Sequence, residues 1–161
     1  LLAEAGYPDG FPLELWAYRD KAAAEAIASD LTKVGIDVTL RYVKLESLNQ
    51  ARAAREIPAY FGTWGSGGTA DTAAIARIHF SGQSDRDMSG DGDLAELVLS
   101  AEQTSDQEER KSIYSDAIGK IADEALWAPL FSYSANYLVS PELDFPLDPD
   151  GLPRLQNASW K

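Results

Sequence analysis

The first part of the chain alternates between two hydrophobic patterns. Residues 11–18 and 36–43 place apolar side chains at every second position, which is typical of β-strands. Residues 59–63 are expected to form a third, short buried strand, with aromatic side chains at Tyr60 and Phe61. Between these runs, residues 22–34 and 45–56 carry apolar side chains three and four positions apart, as amphipathic helices do. The order of the elements predicts an α/β fold.

The spacing of these elements also predicts how the strands are arranged. A helix that joins two strands of one sheet makes a right-handed crossover, so the two strands run parallel. Gly35 follows the first helical run and is expected to end that helix as a C-cap. We therefore expect a mixed, mostly parallel open sheet with helices on both faces.

Further helices are predicted after the third strand. Residues 73–80 and 93–102 have helical spacing, and a longer run ends near Glu124. Ser105 and Glu108 match the capping box S-x-x-E, so Ser105 is the expected N-cap of that longer helix.

The last part of the chain has a different composition. Residues 127–139 are apolar and aromatic but include Pro129, which predicts one bent strand or two short ones. Residues 140–161 contain four prolines and are expected to form an irregular tail. The predicted organisation is therefore an α/β lobe over residues 1–139 and a tail over residues 140–161.

The most informative stretch joins the third strand to the next helix. A glycine-rich turn at the carboxyl end of a strand leaves backbone N–H groups free, and open α/β sheets bind ligands at that edge. An indole adds a flat apolar surface, and a carboxylate can cap the helix or meet a cation. The candidate ligand-binding residues are Trp64, Gly65, Ser66, Gly67 and Asp71. The alternative is a simple tight connection, with Asp71 as N-cap and Trp64 in the core.

Composition limits the possible partners. The chain has 161 residues, which suits one domain, and its 14 basic and 26 acidic residues give a net charge of −12. Such a charge argues against binding to nucleic acid or to anionic membrane surfaces. No apolar run approaches the roughly 20 residues that a membrane helix needs. The chain begins with Leu1 and with residues typical of a helix end, so we expect it to be a piece of a longer protein.

Enzymatic and metal chemistry finds little support in the residues. Gly65, Gly67 and Ala70 match the dinucleotide fingerprint G-x-G-x-x-A, but no acidic residue ends a following strand. An acidic loop from Asp87 to Gly92 resembles the start of a calcium loop, yet Val98 stands where a bidentate glutamate is needed. The chain has no cysteine and one histidine, His79, whose helical phase predicts packing. We expect no metal, no cofactor and no catalytic residue; the alternative is a nucleotide-dependent or hydrolytic enzyme domain.

Several stretches together resemble one family. They are LLAEAGYPDGFPLELW, AEAIASDLTKVGIDVTL, FGTWGSGGTAD and SDQEERKSIYSDAIGKIADEALWAPLF. In this order they are similar to the C-terminal part of the dipeptide/oligopeptide-type solute-binding proteins of bacterial ABC importers. The resemblance implies one lobe of a two-lobed extracytoplasmic receptor of the periplasmic binding protein-like type II fold. It also implies a closing cleft, a membrane permease as partner and a second lobe in the same polypeptide.

The resemblance also bears on the ligand. In the family, the region after the strand-end tryptophan faces the cleft, which here implies contact by Trp64 and the residues after it. Peptide binders carry an aspartate three residues beyond that tryptophan, which pairs with the α-amino group of the ligand. Here that position is Gly67. Members of the family also bind nickel complexes, sugars, glutathione and opines.

Overall fold

The computed structural model describes residues 1–65, 69, 71–134, 136–148 and 152–161. Its elements are β1 (Pro12–Ala17), α1 (Lys21–Lys33), β2 (Asp37–Tyr42), α2 (Leu45–Ala53), β3 (Ala59–Phe61), α3 (Ala73–Phe80), α4 (Gly92–Gln103), α5 (Gln107–Asp123), β4 (Leu143–Asp144), a 3₁₀ turn (Leu155–Asn157) and β5 (Ser159–Trp160). The chain divides into two compact units. The first comprises Leu1–Trp64 and Gln83–Gly90, and the second comprises Gly65–Gly82 and Asp91–Lys161.

The first unit contains a parallel three-stranded sheet in the order β2-β1-β3. Leu15 lies opposite Leu40 of β2 and Ala59 of β3. Successive side chains of a strand point to opposite faces. Leu15 and Ala17 of β1 therefore share one face, where they pack in a cluster with α1.

Helix α2 covers the opposite face of the sheet. Its buried residues Leu48 and Ala51 pack with Trp16 of β1 and Tyr60 of β3. The predicted parallel open sheet with helices on both faces is confirmed.

Two glycines with positive φ angles lie close together just before β1 and β2. Gly35 ends the turn after α1 with φ 98°, and Gly10 precedes β1 with φ 78°. A Cβ atom at Gly10 would stand 1.7 Å from the carbonyl oxygen of Gly35. The two turns therefore approach as closely as they do only because residue 10 lacks a side chain.

The second unit is built on helices α3, α4 and α5. Its core contains Phe80 of α3, Leu94 and Val98 of α4, and Tyr114 and Ala117 of α5, all buried. The predicted helix over residues 73–80 matches α3, and the one over residues 93–102 matches α4 within one residue at each end.

The capping prediction for α5 is wrong by one position. Asp106, not Ser105, is the N-cap, and its carboxylate accepts a hydrogen bond from the Glu109 N–H at 2.9 Å. The S-x-x-E pattern is satisfied equally well by the following D-x-x-E, and aspartate caps helices at least as well as serine.

The strand predicted within residues 127–139 is also wrong for the part that the structure describes, which omits residue 135. No β-bridge forms there, and Leu130, Phe131 and Leu138 are exposed. A strand requires a partner for its backbone hydrogen bonds, and an apolar sequence alone does not supply one. Further along, β4 and β5 form a short antiparallel pair. The boundary between lobe and tail at residue 139 remains a prediction.

Across the described ranges, the structure has no helix that combines the length and apolar character needed to cross a bilayer.

Candidate functional site

Trp64 lies just beyond β3, at the carboxyl edge of the parallel sheet in the first unit. Its side chain is partly buried and its indole Nε1 atom is buried, so the core alternative and the ligand-binding interpretation both stay predictions. The guanidinium of Arg86 lies over the indole ring, 5.7 Å from its centroid. This is the distance range of a cation–π contact, and it holds the ring from one side.

The residues that follow β1 reach the same edge. The Arg19 Nη1 donates a hydrogen bond of 2.9 Å to the Thr63 hydroxyl, and the Tyr18 hydroxyl lies 3.5 Å from the same oxygen. Arg19 also pairs with Asp20 at 3.2 Å. An indole, two hydroxyls and two guanidinium groups therefore converge where parallel α/β sheets bind ligands.

Asp71 belongs to the second unit, and its carboxylate is engaged twice. Its Oδ1 accepts a hydrogen bond of 2.8 Å from the Ala73 N–H at the start of α3. The same oxygen accepts one of 2.6 Å from Arg110 Nη2 of α5. Thr72, not Asp71, is the N-cap residue of α3, but the Asp71 carboxylate binds the first N–H of the helix and pairs with a cation, and both of these partners come from within the chain.

The two partners shift the pKa of Asp71 in the same direction. The hydrogen bond from Arg110, followed by that from the Ala73 N–H, lowers the pKa of Asp71 below its ordinary value of 3.8. The same hydrogen bond raises the pKa of Arg110. Asp71 is therefore ionised at neutral pH, and its charge is matched by a fixed guanidinium.

The remaining candidate residues are placed as follows. Gly65 is exposed, and a Cβ atom there would meet open space, so packing does not require a glycine. Ser66 and Gly67 lie outside the described residues, as does Ala70 of the dinucleotide pattern. Whether these five residues bind a ligand therefore stays a prediction.

The other chemical candidates serve local structure. His79 is buried, with its ring 4.8 Å from that of Trp127. Asp87 accepts hydrogen bonds from both the N–H and the hydroxyl of Ser89. Asp91 caps α4 through the Leu94 N–H and pairs with Lys120 at 2.8 Å.

A groove of about 450 Å³ lies beside the Asp71–Arg110 pair within the second unit. Its lining includes Thr72, Lys111, Tyr114 and Ile118. The groove therefore runs along one side of α5, next to the start of α3.

The chain is similar in sequence and in structure to several known proteins. No protein-family model matches the chain. Heme-binding protein A of Haemophilus influenzae is 27% identical over 141 residues, which is 81% of this chain and 26% of that protein. The periplasmic binding protein DppA of Helicobacter pylori, solved with the peptide STSA, is 25% identical with a TM-score of 0.67 over 77% of this chain. The recognised resemblance is confirmed.

This chain is similar in sequence and fold to the dipeptide/oligopeptide-type solute-binding proteins of ABC importers. A dipeptide-binding protein of Pseudoalteromonas sp. SM9913, solved with Met-Leu, shares the fold with a TM-score of 0.70 over 99% of this chain, at 22% identity. The chain covers 26% of the DppA chain and 34% of the Pseudoalteromonas chain, so it spans about a quarter to a third of their length. Solute-binding proteins of this kind are not enzymes.

Sequence reasoning missed two residues that contact the candidate site residues. Arg86 lies 22 positions after Trp64, and Arg110 lies 39 positions after Asp71. Neither arginine belongs to a motif. The only signal in the sequence was the excess of acidic residues, because it makes each of the fewer basic residues a candidate partner for a carboxylate.

Proposed function

We propose that this chain contributes to the extracytoplasmic binding of a small, peptide-like solute for uptake by an ABC importer. The observation that supports it best is the position of Trp64, a partly buried aromatic residue, at the carboxyl edge of the sheet. The family supplies the second support, since relatives of the same fold were solved with the peptides STSA and Met-Leu.

In this proposal each site residue has a different role. Trp64 stacks on or covers the ligand, with Arg86 holding the indole in place. Gly65, Ser66 and Gly67 offer backbone groups, because small residues let a ligand approach the main chain closely. Asp71 holds the end of this segment, since both of its partners come from the chain itself.

The mechanism is binding by closure of a cleft against a further lobe, followed by presentation of the closed form to the membrane permease. No bond of the ligand is broken, so the chain is not an enzyme. The partners are therefore a small organic ligand or short peptide, a second lobe and an ABC permease. Nucleic acid is no partner, and this segment does not insert into the membrane. The location is periplasmic or otherwise extracytoplasmic.

The site differs in one respect from that of the peptide binders in the family. Gly67 has no carboxylate with which to pair an α-amino group, and Asp71 already faces Arg110. We therefore expect a free amino group to add little to affinity. An N-acetylated tripeptide is expected to bind about as well as the same tripeptide with a free amino terminus.

The alternative, a nucleotide-dependent or hydrolytic enzyme domain, rests on the glycine pattern alone. Turnover of a nucleotide or of a generic ester by the purified chain would favour it. A second ligand class follows from the name of the Haemophilus relative, and hemin therefore belongs in the ligand set.

Trialanine, its N-acetylated form and hemin are titrated separately into the ¹⁵N-labelled chain, with chemical shifts as the readout. Because one lobe supplies only part of the contacts, we expect weak, millimolar binding. For the favoured ligand, the shifts should cluster at the backbone amides of Trp64 and Gly65. Trp64→Ala should abolish the binding. Trp64→Leu, which keeps apolar volume, should weaken it. Trp160→Ala, at an exposed tryptophan, should leave it unchanged.

Shifts elsewhere on the chain, or none at millimolar ligand, would contradict the proposed site. Micromolar affinity would contradict the need for a second lobe.

A further inference from the structure

The groove beside α5 has the size of a small-molecule site. Its volume is about 450 Å³, and pockets that bind small molecules have volumes of roughly 300–1,000 Å³. The residues that line it all belong to the second unit, whereas Trp64 belongs to the first. The groove is therefore formed without the residue on which the proposed function rests.

The lining of the groove carries an excess of positive charge. Asp71 and Arg110 form an ion pair of 2.6 Å, so their charges offset each other. Lys111 also lines the groove, and its ammonium group forms no ion pair with the residues that the structure describes. One carboxylate against two cations leaves one positive charge, in a chain whose net charge is −12. This balance favours an anionic ligand.

The groove also contains a hydrogen-bonding group that the protein leaves unused. Tyr114 is 5% exposed, and its buried hydroxyl oxygen forms no hydrogen bond with the described part of the chain. The Arg110 guanidinium lies over the tyrosine ring, 5.0 Å from its centroid, and not in hydrogen-bonding geometry with the hydroxyl. A buried hydroxyl without a partner costs free energy. Because side chains commonly change rotamer when a ligand binds, an acceptor atom of a ligand can reach this hydroxyl.

An apolar surface lies further along the same side of α5. Ile118 lines the groove and is exposed, seven positions after Lys111. Residues seven positions apart on an α-helix share a face and lie about 10 Å apart along the axis. The groove therefore offers a cation and an aliphatic surface at a spacing of two helical turns.

We propose that this groove is a further binding site, for a small organic acid that carries one carboxylate and an apolar group about 10 Å away. The carboxylate pairs with Lys111 and accepts a hydrogen bond from the Tyr114 hydroxyl. The apolar group packs against Ile118. This site is separate from the function proposed for Trp64 and does not depend on it.

The experiment titrates 4-phenylbutyrate into the ¹⁵N-labelled full chain, with chemical shifts as the readout. Its methylene chain separates a carboxylate from an apolar ring, as the groove requires. 4-Phenylbutyramide has nearly the same shape without the charge, and acetate has the charge without the ring. We expect the acid to bind more tightly than either, with shifts that cluster at the amides of Lys111, Ser115 and Ile118.

Two substitutions test the polar contacts. Lys111→Met keeps a long side chain but removes the charge, and Tyr114→Phe keeps the ring but removes the hydroxyl. Each should raise the dissociation constant of 4-phenylbutyrate by roughly twofold to fivefold, the effect of losing one partly exposed polar contact. Lys44→Met is the matched control, because it removes an exposed lysine of the first unit, and it should leave the affinity unchanged. Circular dichroism confirms that each variant is folded.

Equal affinity for the acid and its amide would overturn the proposal, and so would shifts that lie away from α5. Unchanged affinity in both Lys111→Met and Tyr114→Phe would also overturn it, as would the absence of shifts at millimolar 4-phenylbutyrate.

Discussion

At the scale of single residues, three aspartates of this chain accept hydrogen bonds from backbone N–H groups a few positions ahead. Asp91 and Asp106 each cap a helix by accepting a hydrogen bond from the N–H three positions ahead. Asp71 accepts one from the N–H two positions ahead. Such contacts follow from short spacings and are visible in sequence. The second partner of Asp71 lies 39 positions away and no spacing predicts it.

The cap of α5 provides a test at this scale. Asp106→Ala leaves the Glu109 N–H without its acceptor and is expected to destabilise the protein by about 1 kcal/mol. Ser105→Ala should change the free energy of unfolding by much less, because Ser105 lies outside the cap. Urea unfolding followed by circular dichroism measures both. Equal losses of stability in the two variants would contradict the assignment of Asp106, and not Ser105, as the N-cap.

The Asp91–Lys120 pair gives a pH dependence. The hydrogen bond from Lys120, and then that from the Leu94 N–H, lowers the pKa of Asp91 below 3.8. A carboxyl group with a lowered folded-state pKa stabilises the protein above its ordinary pKa, and that contribution is lost as the pH falls through the lowered pKa. Asp91→Asn should therefore lower the melting temperature at pH 7, with a difference from the parent that vanishes in acid. A constant difference at all pH values would contradict the charge-based reason.

At the scale of elements, local pattern and tertiary support contribute differently. Helix α3 was predicted at its observed bounds because apolar spacing and backbone hydrogen bonds are both local. Residues 127–139 show the opposite case. Their apolar and aromatic content predicts a strand, but a strand exists only beside another strand, and none is paired with the described part of this run.

The close approach of the two turns before β1 and β2 can be tested by replacing a glycine with alanine. Gly10→Ala places a methyl group against the Gly35 carbonyl at a positive φ angle, so we expect a large loss of stability and of sheet signal. Gly119→Ala is the matched control, because Gly119 lies exposed within α5 with open space around it. There, alanine should stabilise by about 0.5–1 kcal/mol. Thermal unfolding measures both, and a tolerated Gly10→Ala would disprove the close approach.

At the scale of the whole molecule, each compact unit has its own core. The first is organised on the two faces of the parallel sheet, and the second on the contacts among α3, α4 and α5. The fold match covers residues of both units, since the Pseudoalteromonas protein aligns over 99% of the chain.

The core of the second unit gives the prediction at this scale. Leu94 has no exposed surface, so Leu94→Ala leaves a cavity and should cost about 2–5 kcal/mol. Leu155→Ala, at a residue that is 73% exposed, should cost little. Native-state hydrogen exchange of the amides in α3, α4 and α5 measures the loss where it arises. Comparable effects of the two substitutions would contradict the assigned core.

The sequence by itself determined the α/β class, the parallel arrangement of the strands, the bounds of most helices and the resemblance to one family. These depend on periodicity, capping and crossover handedness, which act over a few residues or over one strand–helix–strand unit. Only the tertiary structure decided that Arg86 covers Trp64, that Arg110 binds Asp71 and that residues 127–134 lack a strand partner. Such contacts join residues tens of positions apart. They form only when packing of the intervening elements offsets the entropy of closing long loops, and no local pattern records that balance.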